Sequence, residues 1–448
     1  MKYIRICLFL LSASLVGSCS NGTSTQVTLS SDPNIASFAF QAQDSFPGLS
    51  KGVFVIDNHL DADTGDIYTK DSLQYGTRIS AVVPRITFSG SQVASAVFYT
   101  PCDTVSFLGT DTIDFSCTPV RISVISQDVK QEKWYRIRVD VHQVDPDLYV
   151  WRRSAEHIYP AEGAVQKLCR LGGQYCLYVG NGITTSLYRT ADPADWHTAL
   201  APSGLPATCR VRDLMQAGDS IYYADGTRLL ASGDGLSFAP LFTATEFAFV
   251  NLLFRYNNLL WALVRATGEP QLRLASSPDG TSWTMQQDTL PADFPVSDYA
   301  TVTFTSVSGR PRAMLMGGYT ADGRALNTRW NVEYDGSRYR WADFSVEQPS
   351  FGALTGISLV RYNNRLLLFG GADDQGRVRD YTLMESVDEG MNWYVPDSAH
   401  NRMPDIYGAR TEQSVVTDDN GNICIVGGRT RTEIFSDAYV GRLNSINW

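Results

Sequence analysis

Six polar side chains could bind a sugar or an acid, because each lies where a predicted strand begins. They are Arg210, Arg212, Tyr299, Arg410, Glu412 and Gln413. Arginine makes paired hydrogen bonds to carboxylates, and tyrosine stacks on ring faces. The set therefore predicts a surface that binds sugar hydroxyls or carboxylates. The alternative is that Arg410 and its neighbours only bridge adjacent elements near a crowded axis.

Carboxylates near the same strand starts could instead catalyse glycoside hydrolysis, which needs two of them at a defined separation. The candidates are Asp213, Glu246, Asp298, Glu412 and Asp419. Nothing in the sequence brings two of them to that separation. The five histidines show no spacing typical of metal ligands, so we expect no metal and no cofactor. We predict binding without catalysis, with a glycoside hydrolase or lyase as the alternative.

A recurring turn indicates the elements that position these side chains. Its clearest copy, at residues 386–393, reads SVDEGMNW, and looser copies lie around Asp192, Asp234 and Asp279. The aspartate, which is Asp388 in the clearest copy, is expected to bind backbone amides across the turn. The aromatic residue that ends the turn is expected to pack between neighbouring sheets. We predict a structural role for all four aspartates.

The aromatic residues of this turn recur at positions 151, 196, 238, 283, 341 and 393, which are 42 to 58 residues apart. Repeats of about 40 to 50 residues built from short strands are typical of β-propeller blades. The last segment, 410–448, lacks a fourth strand, and a strand near residues 148–153 could supply it. We predict an all-β chain in which residues 146–448 form a six-bladed propeller closed by that strand. Seven blades are the alternative.

The preceding region, residues 31–145, contains short strands separated by turn residues. Apolar and polar residues alternate most clearly in YRIRVDV at 135–141. About a hundred residues of such strands are typical of an immunoglobulin-like β-sandwich.

The first 18 residues have the pattern of a lipoprotein signal peptide. Lys2 and Arg5 precede a short apolar stretch, and small residues lead to Cys19. We expect Cys19 to carry a lipid that is the only membrane contact, and residues 19–30 to form a flexible tether. The predicted location is the outer membrane, on either its periplasmic or its outer face. Loss of Lys2 and Arg5 changes the net charge from −10 to −12, which argues against a nucleic acid partner.

Six further cysteines would lie in an oxidising compartment, where disulfides are stable. Cys169 and Cys176 could form one, because a turn at Gly172 and Gly173 would place them opposite each other. That register makes them a hydrogen-bonded pair, in which the Cα atoms are farther apart. A second bridge could join Cys102 to Cys117, while Cys209 and Cys424 are typical of buried thiols.

The chain resembles a family of Bacteroidetes cell-envelope lipoproteins known only as a domain of unknown function. The resemblance rests on residues 65–68 (GDIY), 71–76 (DSLQYG) and 135–147 (YRIRVDVHQVDPD). Glycine pairs at 317–318, 370–371 and 427–428 resemble those of kelch repeats, and the recurring turn resembles the Asp-box of sialidase-type propellers. The resemblance implies an immunoglobulin-like domain followed by a kelch-type propeller, and it implies no activity. The expected partner is a glycan, or an envelope or extracellular protein.

Overall fold

The computed structural model describes residues 28–44, 46, 48–60, 63–90, 92–344 and 352–444. The chain divides into two compact units, Met1–Val144 and Asp145–Trp448. The described residues form strands and two short 3-10 turns, and none of their helices could cross a membrane. The signal peptide, Cys19 and most of the tether lie outside the described residues, so these predictions stay predictions.

The first unit is a sandwich of two sheets around one apolar core. Strands β1 and β4 pair in one sheet, and the other has the order β2-β3-β8-β7-β5-β6, with β3 and β8 parallel. Phe38, Phe98, Ile122 and Tyr135 from both sheets are buried in the same cluster. The strands are β1 Ile35–Phe40, β2 Phe54–Asp57, β3 Thr64–Thr69, β4 Pro84–Phe88, β5 Val93–Tyr99, β6 Thr104–Ser106, β7 Val120–Ser126 and β8 Glu132–Arg138.

The cysteines follow the sequence predictions only in part. Cys102 and Cys117 form a disulfide with their Cα atoms 6.2 Å apart. Cys169 and Cys176 lie directly opposite each other, as the turn predicts, but both are buried free thiols. The predicted bridge between them is therefore wrong in this structure. Its register is the hydrogen-bonded one, which keeps paired Cα atoms farther apart.

The second unit is built from six sheets in sequence order, all antiparallel except that the last sheet also contains one parallel pair of strands. Strand β9, Tyr149–Ala155, begins the unit and joins the last sheet. The other strands are β10 Val165–Leu171, β11 Gln174–Gly180 and β12 Thr185–Thr190 in blade one; β13 Met215–Ala217, β14 Ser220–Asp225, β15 Arg228–Ser232 and β16 Ala239–Thr243 in blade two; β17 Phe247–Tyr256, β18 Leu259–Ala266, β19 Leu272–Ser277 and β20 Thr284–Thr289 in blade three; β21 Ala300–Thr305, β22 Pro311–Met316, β23 Arg329–Tyr334 and β24 Tyr339–Asp343 in blade four; β25 Ser358–Tyr362, β26 Arg365–Phe369 and β27 Leu383–Ser386 in blade five; and β28 Asn401–Arg402, β29 Ser414–Thr417, β30 Ile423–Val426 and β31 Ala438–Leu443 in blade six.

The second strand of each blade is the most apolar because neighbouring blades cover both of its faces. In β18 and β30, for example, the runs LWALV and ICIV are fully buried. The fourth strand of blade three, β20, is instead largely exposed and polar. Continuous apolar runs of this length are typical of strands buried on both sides.

The sixth blade is completed from the beginning of the unit. Strand β9 pairs antiparallel with β31, as predicted, and places Trp151 opposite Gly441. The first strands of successive blades are in contact all the way round, from β10 through β29 and back to β10. A side chain at position 441 would come within 2.1 Å of the Trp151 ring, so glycine is needed there.

The four predicted turn aspartates hold the turns that follow the third strands of blades one, two, three and five. Asp192 accepts a hydrogen bond from the amide of Ala194, Asp234 from those of Leu236 and Ser237, Asp279 from those of Thr281 and Ser282, and Asp388 from that of Asn392. The indole of each following tryptophan also donates to a carbonyl in its own turn. In an antiparallel blade these turns lie at the opposite end from the start of the first strand.

Candidate functional site

A cavity of 260 Å³ lies on the propeller axis, where the first strands of all six blades converge. Every blade contributes polar residues to its lining, so the cavity exists only where all six blades meet and no single repeat forms it. The polar residues are Gln166 and Lys167 in blade one, Arg212, Asp213 and Gln216 in blade two, Asn251 in blade three, Asp298, Tyr299 and Thr301 in blade four, Ser358 in blade five, and Gln413 and Ser414 in blade six.

Short turns before the first strands position the charged groups of this lining. The 3-10 turn Val211–Asp213 carries two of them into blade two. Blades four, five and six begin with a left-handed residue at the same position, with φ values of 51° at Asp298, 63° at Gly356 and 59° at Glu412. The Gly356 amide donates to the Asp298 carbonyl at 3.3 Å, and the Glu412 amide donates to the Gly356 carbonyl at 2.7 Å. Blades four and six thus carry carboxylates where blade five has glycine.

Arg212 connects three alternate blades through its guanidinium group. Its Nε lies 3.3 Å from Oδ1 of Asp298, and its Nη1 donates to the Glu412 carbonyl at 3.0 Å. The same Nη1 lies 3.8 Å from Oε2 of Glu412. The positive charge of Arg212 is therefore balanced by carboxylates from blades four and six.

Asp213 has an unusual environment for a carboxyl group. Burial raises its pKa, and the negative charge of Asp298 raises it further, although Arg210 acts in the opposite direction. Nε of Arg210 lies 3.4 Å from Oδ2 of Asp213. A carboxyl of raised pKa beside a second carboxylate is a feature that acid–base sites also use.

Lys167 is the only lysine among residues 145–448. It lines the axial cavity, where its ammonium group makes no hydrogen bond or ion pair within 4.0 Å to the residues that the structure describes. Burial lowers the pKa of this ammonium group, and the charge of Arg212 also lowers it. The nearby Cys169 and Asp213 favour the charged form.

Three of the six predicted ligand-binding residues line the cavity, namely Arg212, Tyr299 and Gln413. The hydroxyl group of Tyr299 is already used within the protein, because it donates to the Leu252 carbonyl at 3.2 Å. Gln413 is only 2% exposed, and its amide lies beside Gly370 without a hydrogen-bond partner among the described residues.

The other three predicted residues lie outside the cavity lining. Glu412 stands beside the cavity as a partner of Arg212, and Arg210 is exposed and pairs with Asp213. Of the remaining candidate acids, Glu246 and Asp419 are exposed and also lie outside the lining.

Arg410 is a structural residue, so the prediction that it binds a ligand is corrected. It is 1% exposed, and Nη1 lies 2.6 Å from Oδ1 of Asp437. Its guanidinium group lies between the rings of Tyr407 and Phe435, at 4.2 and 3.9 Å from their centroids. This arrangement matches the alternative from the sequence analysis, in which Arg410 only bridges adjacent elements.

Sequence reasoning missed Lys167 and Asn251. Lys167 lies in the middle of an ordinary strand pattern, and the available signal was that the propeller has no other lysine. Asn251 lies inside the apolar run of β17 and is buried there. Within the described ranges, no group of three His, Cys, Asp or Glu side chains is placed to hold a metal ion.

Comparison with known proteins adds a family but no activity. A family model described as the DUF6242 beta propeller domain matches residues 145–448, and one described as the N-terminal domain of unknown function DUF6242 matches residues 23–139. No curated protein matches the chain. A solved structure described as that of YjhT is similar with a TM-score of 0.44 and 13% identity, covering 62% of this chain and 94% of that one.

Proposed function

We propose that this member of the DUF6242 family binds one residue of an extracellular glycan in the axial cavity of its propeller and does not cleave it. The family has no stated activity, so the proposal rests on the cavity itself. The observation that carries this proposal is the cavity of 260 Å³ with polar groups from all six blades. Ligand sites are concave and place a few polar groups to fix orientation. A cavity below the usual range of about 300–1,000 Å³ suits a single sugar residue rather than an extended segment.

The ion pairs of the cavity support binding over catalysis. Asp298 is held by Arg212, and Asp213 is held by Arg210. Each ion pair stabilises the anionic form of its carboxylate and so weakens that group as a nucleophile or a base. The glycoside hydrolase or lyase is the second candidate, because these two carboxylates line one cavity and the pKa of Asp213 is raised.

The test is a broad glycan array probed with the purified full chain, with mass spectrometry of bound spots. Binding without cleavage supports the proposal, whereas cleaved spots that become intact with Asp213→Asn or Asp298→Asn would establish the enzyme. A cavity-filling variant, Ser358→Leu, should lose the signal. Its matched control, Ser308→Leu, places the same side chain at an exposed position outside the cavity. An array without signal would point to a protein ligand instead.

We also propose that the propeller is held at the outer membrane by a lipid on Cys19, as in the Bacteroidetes lipoproteins that the sequence resembles. The support is the pattern of residues 1–19. Metabolic labelling with palmitate should mark the native chain and should not mark the Cys19→Ala variant. Label in both would contradict the anchor.

A further inference from the structure

The charges around the axial cavity are paired with one exception. Arg212 contacts the carboxylates of Asp298 and Glu412, and Asp213 contacts Arg210. Lys167 is the cation left without an ion pair within 4.0 Å among the described residues. Lys167 is half-buried, and an ammonium group that loses part of its hydration without gaining a partner is costly. Among the described residues, Lys167 is therefore the cation of the cavity whose ammonium group is left to contact a bound anion.

The remaining hydrogen-bonding capacity of the cavity also favours an anion. Asn251 accepts a hydrogen bond from the Leu252 amide at 2.9 Å through Oδ1, and its Nδ2 group has no partner among the described residues. The lining hydroxyl groups already donate to backbone carbonyls of neighbouring blades, as Ser358 does to Gln413 at 2.6 Å, Thr301 to Leu253 at 3.2 Å and Tyr299 to Leu252 at 3.2 Å. The donors left for a ligand include the ammonium of Lys167 and the amide of Asn251, while the unpartnered amide of Gln413 is fully buried beside Gly370.

We propose that Lys167 and Asn251 form the seat for a carboxylate, so that the sugar bound in the axial cavity is an acidic one. This inference rests on the proposed function and names the class of its ligand. Charge-assisted hydrogen bonds to a carboxylate are about twice as strong as neutral ones. A monoanion fits better than a phosphate, because the carboxylates of Asp213 and Asp298 line the same cavity and repel a second negative charge more strongly.

Glucuronate and glucose test this inference, since they differ only in a carboxylate that replaces a hydroxymethyl group. Calorimetric titration of the purified full chain should show glucuronate binding at least about tenfold more tightly than glucose. Lys167→Met should reduce the affinity for glucuronate to that for glucose, and Lys167→Arg should restore most of it. Equal affinities in the native chain, or unchanged glucuronate binding in Lys167→Met, would overturn the inference.

The same experiment separates this inference from the proposed function. If both sugars bind equally and Ser358→Leu abolishes both, the cavity binds sugars but Lys167 does not select an acid. If neither binds up to about 10 mM, the acidic-sugar inference is overturned, and the glycan array still decides whether the cavity holds a glycan. Thermal unfolding is the folding control, because replacing an unpaired, half-buried ammonium group by methionine should leave the unfolding midpoint unchanged or higher. A clear fall in the midpoint would show that Lys167 has a structural partner, and this too would overturn the inference.

Discussion

Replacing Arg410 by methionine should unfold the propeller at a markedly lower denaturant concentration. The guanidinium group is 1% exposed, lies 2.6 Å from Oδ1 of Asp437 and packs between two aromatic rings. Methionine has a similar length, so the main loss is the positive charge. Asp437 would then be left partly buried without its cation. Breaking a buried ion pair by removing one partner costs about 3–5 kcal/mol, and we expect about 3 because Asp437 retains some exposure.

Urea unfolding followed by tryptophan fluorescence is the appropriate assay. Eight of the nine tryptophans lie in residues 145–448, so the signal reports mainly on the propeller. The double variant Arg410→Met/Asp437→Asn removes both charges and should recover about 2 kcal/mol of the loss, as coupled neighbours do. A loss below about 1 kcal/mol in Arg410→Met would refute the buried ion pair. If Arg410→Met lost ligand binding while its stability was unchanged, Arg410 would have to be assigned to the binding site.

Three further predictions concern the scaffold. The amides of Ser237 and Leu236 lower the pKa of Asp234 to about 2, so its stabilising effect is present above its ordinary pKa of 3.8 and is lost as the pH falls towards 2. In urea unfolding at pH 7, Asp234→Ala should therefore be less stable than the native chain by about 1 kcal/mol, and this difference should shrink near pH 2. Gly441→Ala should lower the thermal unfolding midpoint of the propeller, by about 1–3 kcal/mol in stability, because the new methyl group meets the Trp151 ring; an unchanged midpoint would contradict the closure packing. Replacing Cys102 and Cys117 by serine should speed hydrogen exchange in β5 and β7 by an amount that corresponds to about 3 kcal/mol, as expected for a 15-residue loop, and unchanged exchange would contradict the bridge.

The blade count and the strand β9 could be predicted because they depend on local, repeated chemistry. An aspartate that binds amides of its own turn and an aromatic residue that follows it leave a spacing visible in one sequence. The missing strand of blade six was visible for the same reason, since Trp151 continues that spacing backwards. The opposed pair Cys169 and Cys176 followed from a two-residue turn, although the thiols are unbonded.

The side chains of the cavity could be predicted only in part, because their roles depend on partners far away in sequence. Arg212 and Arg410 both lie near the start of a first strand, yet the former reaches Asp298 and Glu412 across the axis. The latter is enclosed by Tyr407 and Phe435. The lack of a close ion pair at Lys167 arises in the same way, since the carboxylates of Asp213 and Asp298 contact Arg210 and Arg212 instead.

The most direct test of the central claim, that the axial cavity is the ligand site, is a titration of the strongest glycan from the array against two matched variants. Ser358→Leu fills the cavity, whereas Ser308→Leu adds the same side chain at an exposed position. We expect Ser358→Leu to weaken binding by at least about 100-fold, as loss of access to a buried site requires, and Ser308→Leu to bind as the native chain does. Unchanged affinity in a folded Ser358→Leu variant would place the ligand elsewhere and contradict the proposed function.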